Sequence, residues 1–198
     1  MKIFTTWFIF IACIFFFTIT LYTQGLRFGI EGGLTSITGP TSYTTSVADN
    51  GEGFGANYNY GAQLRLDIPL VPLTPIFFVD YHMLKGNGSS GSFTTNTSQN
   101  ILSIGVEAEY ILLPLPIIKP YASIEGAINN IGDLKMDYTG GSTSQGKMTR
   151  LGAAIGMGAI VTILPIFDLD VSLKYHDFNL TGSEPSIDAF SLNVALIL

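Results

Sequence analysis

From residue 25 onward, apolar and small or polar residues alternate with a period of two in eight successive segments. That period is imposed by a β-strand, whose neighbouring side chains leave opposite faces. The pattern is plainest over 56–67, where Ala56, Tyr58, Tyr60, Ala62, Leu64 and Leu66 alternate with Asn57, Asn59, Gly61, Gln63, Arg65 and Asp67. Before it, 26–35 sets Phe28, Ile30 and Leu34 against Arg27, Gly29 and Glu31. After it, 76–85 sets Phe77, Val79, Tyr81 and Met83 against Asp80 and His82, and 102–110 sets Ile104, Val106 and Ala108 against Ser103, Glu107 and Glu109. The remaining four segments are 122–129, 150–162, 167–176 and 190–198, with Ser123, Glu125, Asn129, Arg150, Asp168, Asp170, Lys174 and His176 on their polar faces.

The connectors alternate as well. Short proline-bearing turns are expected at 68–75, 113–116 and 164–166, and long Gly/Ser/Thr/Asn-rich loops at 36–55, 86–99, 131–147 and 179–186. Short turns at one end and long loops at the other is the asymmetry of a transmembrane barrel. After residue 25 no apolar run is long enough for a membrane helix; 111–118 comes nearest and carries Pro114 and Pro116. A sheet facing lipid with Leu, Ile, Val, Phe and Tyr cannot leave edge N–H and C=O groups unpaired in hydrocarbon, so it must close. The pattern therefore predicts an all-β, eight-stranded, antiparallel up-and-down transmembrane β-barrel. An interior of that size is just filled by side chains, so a plugged lumen is expected.

Upstream, Lys2 precedes an apolar run over 7–21, the layout of a secretory signal peptide assigned to 1–24, leaving 25–198 as the outer-membrane barrel domain. An uncleaved anchor is the rival reading of the same run. A lipoprotein box ending at Cys13 conflicts with the apolar Ile14, Phe15, Phe16 and Phe17 behind it. Cys13 is the single cysteine of the 198 residues, so no disulfide framework is expected in the exported part. Only 12% of residues are charged while 47% are hydrophobic, a composition short of charge for a water-covered surface. The net charge of −6 offers no basic field for phosphate backbones, which excludes a nucleic-acid partner.

With these features, the chain over 26–198 resembles the small eight-stranded bacterial outer-membrane β-barrel proteins, the group of OmpX, OmpW and the OmpA membrane domain. The resemblance rests on the signal segment, the eight alternating segments and the final strand, Phe190 to Leu198. It implies a bacterial outer-membrane location, outer-membrane lipid around the wall, and recognition of the last strand by the barrel-insertion machinery. The usual final Phe or Trp is replaced here by Leu198, and the only Trp is Trp7, so any aromatic girdle must come from Tyr and Phe.

The inward face carries the candidate chemistry. Arg27, Glu31, Arg65, Asp67, Asp80, Glu107, Glu109, Glu125, Arg150, Asp170 and Lys174 are read as a structural lumen charge network, because charges in a narrow interior must pair. Ile30-Glu31-Gly32 recurs as Ile124-Glu125-Gly126, and Tyr81-His82 as Tyr175-His176, both 94 residues later, as a duplication or equivalent heights in one barrel would give. His82 and His176 should face inward from opposite sides of the barrel, as members of a hydrogen-bond network. No metal-ligand spacing, cofactor motif or Ser–His pairing accompanies them, so no catalytic residue, metal or cofactor is expected. Asn96-Thr97-Ser98 fits a glycosylation pattern of little weight in a bacterial chain. The readings left are a structural or surface-interaction (adhesin-like or envelope-integrity) barrel whose long loops meet an extracellular ligand, with a narrow porin-like conduit and an envelope lipid-modifying enzyme as the alternatives.

Overall fold

The computed structural model describes residues 25–49, 51–68, 71–90, 93–138, 140–164, 167–181 and 184–198. The expected signal segment lies outside the described residues, as do Pro69, Leu70, Pro165 and Ile166 of the short turns. The wall is made by β1 (Leu26–Gly39), β2 (Ala56–Leu66), β3 (Leu73–Ser90), β4 (Phe93–Ile111), β5 (Ile118–Ile131), β8 (Met148–Leu164), β9 (Phe167–Asp177) and β10 (Asp188–Ile197). A small hairpin, β6 (Leu134–Tyr138) and β7 (Gly141–Gln145), is added through β6 to the upper part of β4. The ring order is β1-β2-β3-β4-β5-β8-β9-β10, antiparallel throughout. It closes where β1 meets β10, from Gly29 opposite Ile197 to Ser36 opposite Phe190. Phe28 and Leu198 exchange backbone bonds at the seam, at 3.2 and 2.8 Å. Closure removes the edges that lipid could not solvate.

Burial alternates along every wall strand, and the apolar row is the exposed one. Ile124, Ile155, Phe77 and Leu192 stand outward, while Asp80, Glu107, Ser123, Ser172 and Asn193 are buried. On β5 the outward row runs from Ile118 to Ile128, a rise of about 25 Å along the barrel axis at the usual strand rise and tilt. That equals the apolar height of an outer-membrane barrel. Aromatic rings mark both borders. Tyr60 packs on Tyr81 (ring centroids 5.4 Å) and Tyr175 on Phe190 (5.1 Å) toward the loop end, with Tyr110 and Phe28 toward the turns. Tyr and Phe thus supply the girdle without Trp.

The long-loop expectation requires correction. Residues 86–99 are mostly strand: β3 and β4 stay paired from Leu73–Tyr110 up to Ser90–Phe93. Residues 131–147 are largely the β6–β7 hairpin. Above the membrane a strand needs no apolar row, so its two polar faces erase the period-two signal, while β-branched Thr94, Thr95 and Thr97 still favour extended backbone. The first loop holds a short helix, α1 (Thr41–Thr44), and a 3-10 turn over Val47–Asp49.

Candidate functional site: the barrel interior and its loop end

Inward side chains form layers from the turn end upward. At the turn-end mouth Arg27 holds Asp67 at 2.6 Å and also pairs with Asp168. Next, Arg65, with no exposed side-chain surface, meets Glu109 as a two-pronged pair, one prong at 2.8 Å, and lies 3.6 Å from Asp170. The planar guanidinium matches a carboxylate with two parallel bonds, so the pair has direction as well as charge. Tyr121 donates to Asp170 at 2.9 Å, tying β5 to β9. Above this, Lys174 bonds Glu107 at 2.7 Å and Glu125 at 3.2 Å and sits 5.7 Å from the centre of the Phe78 ring. Asp80 is buried beside these groups, and half-buried Glu31 faces it.

The next layer is made of imidazoles, hydroxyls and amides. His82 shares a hydrogen bond with Thr35 (2.9 Å) and His176 with Ser191 (2.7 Å). Asn59 donates to Thr35 and Asn193, at 2.7 and 2.9 Å. The two histidines come from β3 and β9, opposite in the ring, yet their ring centroids are 5.7 Å apart, and Phe178 packs on both at 5.0 and 5.1 Å. Side chains from facing walls therefore touch across the axis. Glu31 and Glu125, the other residues of the 94-residue recurrence, also come from opposite strands, β1 and β5.

The loop end of the interior is apolar. Ile37, Phe54, Leu84, Ile101, Ile131, Leu134, Phe178, Ile187 and Ala189 form one buried cluster. Most of these lie on the inward parity of their strands, so the sequence signal was available: aliphatic residues on the polar rows, at the loop end of each strand, as at Ile37, Leu84, Ile101 and Ile131. Phe54 is brought in by the first loop, which folds over the mouth. Its N–H donates to the Tyr43 carbonyl (2.9 Å), its ring packs on Tyr43 (5.4 Å), and it forms a bridge to Gly86. The Thr97 hydroxyl donates to the Glu52 carbonyl oxygen. Burial in this loop pushes the Glu52 carboxyl above its ordinary pKa. The raised value means that docking of the loop is favoured below the ordinary glutamate range and weakened as pH rises through the shifted value. Glu52→Gln is accordingly expected to protect the Gly53 and Phe54 amides from hydrogen exchange at neutral pH at least as well as Glu52 does. Faster exchange in the variant would contradict this.

Arg150 does not join the interior layers. It pairs with Glu184 of the last loop at 2.7 Å, at the exposed rim, because its neighbour β9 ends at Asp177, opposite Ala153, and leaves Arg150 three residues beyond the last β8–β9 pair. The other ten residues of the expected network face inward, Asp67 at the open turn-end mouth. Among the described residues, no three His, Cys, Asp or Glu side chains gather as a metal site would require.

Residues 9–197 match the family model of the outer membrane protein beta-barrel domain. The chain belongs to that family. Among solved structures, this barrel is similar to the Neisserial surface protein A, NspA, with a TM-score of 0.60 at 17% identity over 88% of this chain and 96% of that one. It is also similar to Ail, the attachment invasion locus protein of Yersinia pestis, with a TM-score of 0.51 at 11% identity over 88% and 99% of the two chains. At such identities the likeness is one of fold. No curated protein matches the chain. A closed ring with an outward apolar belt in this family places the barrel in the bacterial outer membrane, with its long connectors at one end.

Proposed function

We propose that this outer-membrane barrel is a non-enzymatic surface protein whose lumen is closed to solutes and whose loop end makes its contacts. The observation that carries the reading is the meeting of opposite walls, His82 against His176 at 5.7 Å, beneath the buried Phe54 cluster. A solute would have to break the buried Arg65–Glu109 and Lys174–Glu107 pairs and displace the apolar layer above them. The attachment role in the name of Ail belongs to that protein. For this chain the surface role is supported by the strand-built loops, since a rigid scaffold that carries exposed loops commonly carries binding.

Two measurements test the proposal. In planar bilayers the purified barrel is expected to give no discrete openings; steady unitary currents would favour the conduit reading instead. Removing the tip of the β6–β7 hairpin is expected to leave a folded barrel that has lost binding of cells to host or matrix surfaces. Unchanged binding by cells carrying that variant would remove the surface role.

A further inference from the structure

The sheet that continues above the membrane has a polar outward face. Asn87 of β3 lies opposite Asn96 of β4, which in turn lies opposite Asp137 of β6. Directly paired residues share a face, so these three form one row across the strands, about 4.8 Å from strand to strand. The row below it is Lys85, Ser98 and Lys135. No aliphatic residue enters either row. Asparagine is depleted in strands, so strand formation does not explain two of them at directly opposed positions. The Asn87, Asn96 and Asp137 side chains are exposed and have no bonding partner among the described residues.

A cleft of about 610 Å³ runs along these rows, from the exit of the first loop across to Asp137. Its wall on the loop side is fixed by Asn57. That amide donates to the Gly55 and Lys85 carbonyl oxygens at 3.0 and 3.1 Å and accepts from the Lys85 N–H at 3.0 Å. Among the described residues, the charged side chains lining the cleft are Lys85 and Asp137, one of each sign, and its aliphatic lining is Ala56. Balanced charge favours neither an anion nor a cation. Strand-adding peptides seat alternate side chains in pockets, which this lining does not offer. Amides, a hydroxyl, an ammonium and a carboxylate together supply donors and acceptors, as a ligand rich in hydroxyls requires. Asn87 lies about 15 Å above Tyr81 of the aromatic border at the usual strand rise and tilt, so the cleft opens to the medium rather than to the bilayer.

We propose that this cleft binds a neutral oligosaccharide of an extracellular surface. Asp137 accepts from neighbouring hydroxyls of the sugar, while Asn87 and Asn96 each donate and accept beside it. The inference rests on the surface role argued above and names the chemistry of one of its contacts. The test presents the folded barrel, in phosphatidylcholine nanodiscs, to an array of neutral, sialylated and sulfated oligosaccharides, with calorimetry on the best neutral binder. Neutral members are expected to be retained above the acidic ones. Asn96→Ala should weaken binding about fivefold, the worth of one neutral hydrogen bond, and Asp137→Ala about thirtyfold, as a charge-assisted contact would give. Asn130→Ala, outside the cleft, should leave it unchanged. Binding by the Asn96 and Asp137 variants equal to that of the parent would overturn the proposal, as would retention of acidic members alone. If no oligosaccharide is retained while cells carrying the parent barrel still bind host surfaces, this inference falls and the surface role stands. If those cells bind no surface, the surface role falls with it. A heat-modifiability gel on each variant shows that any loss is not a failure to fold.

Discussion

Gly33→Val is expected to abolish the folded, heat-modifiable form of this barrel. Gly33 lies opposite Asn193 in the seam where the first strand joins the last. There the backbones approach so closely that a Cβ on Gly33 would lie 2.2 Å from the Leu192 carbonyl oxygen and 2.9 Å from the Asn193 Cα. These neighbours are main chain, which cannot swing aside as a flexible side chain can. The ladder from Gly29 to Ser36 would have to part, leaving two strand edges in hydrocarbon at several kcal/mol for each unpaired group. On a gel the variant should run at one position before and after boiling, where the parent runs at two. Gly126→Ala supplies the contrast. A Cβ there meets nothing within 4 Å and points to lipid, so folding should be unchanged or slightly improved. A Gly33→Val barrel that folds like the parent would overturn the close approach of the two backbones at the seam.

Arg65→Leu should be the most damaging replacement among the interior charges. The side chain is fully buried and serves Glu109 and Asp170 together, so its loss strands two carboxylates away from water. Breaking one side of a buried pair costs about 3–5 kcal/mol, whereas removing both sides is often nearly neutral. Denaturant unfolding in vesicles is therefore expected to show a large drop in midpoint for Arg65→Leu and a smaller one for Arg65→Leu combined with Glu109→Leu. Lys147→Leu, on the exposed rim, should move the midpoint by no more than about 0.5 kcal/mol equivalent. Equal midpoints for the Arg65 and Lys147 variants would show that the interior charges are not packed against one another.

The barrel was legible in the sequence because lipid on one side and a narrow interior on the other force a strict alternation. All eight wall strands could be read from rows such as Ile104, Val106 and Ala108 against Ser103, Glu107 and Glu109. The face of each charged residue was legible for the same reason; its partner was not. Lys174 meets Glu107 from 67 positions away, and Arg65 meets Asp170 across the ring. Such meetings depend on the stagger between strands, which sets height, and alternation carries no information about height. Arg150 shows the consequence: its parity suited the interior, but its height put it at the rim with Glu184. The distance between His82 and His176 depends on the barrel's diameter and was equally hidden. The apolar layer at the loop end was present as stray aliphatic residues on polar rows, Ile37, Leu84, Ile101 and Ile131, which a two-colour reading passes over.

The continued pairing of β3 with β4 beyond the membrane makes the rim uneven. From Leu84 to Ser90 the hairpin runs on for about 20 Å of strand length, while β9 and β10 stop at Asp177 and Asp188. The barrel therefore has a high flank and a low flank, and the outside world meets them differently. A bulky neighbour in the membrane can press close to the bilayer beside β9 and β10, but on the opposite flank it is held off by a parapet of hydrogen-bonded backbone. Turning the molecule about the membrane normal is thus enough to change which surfaces its surroundings can touch.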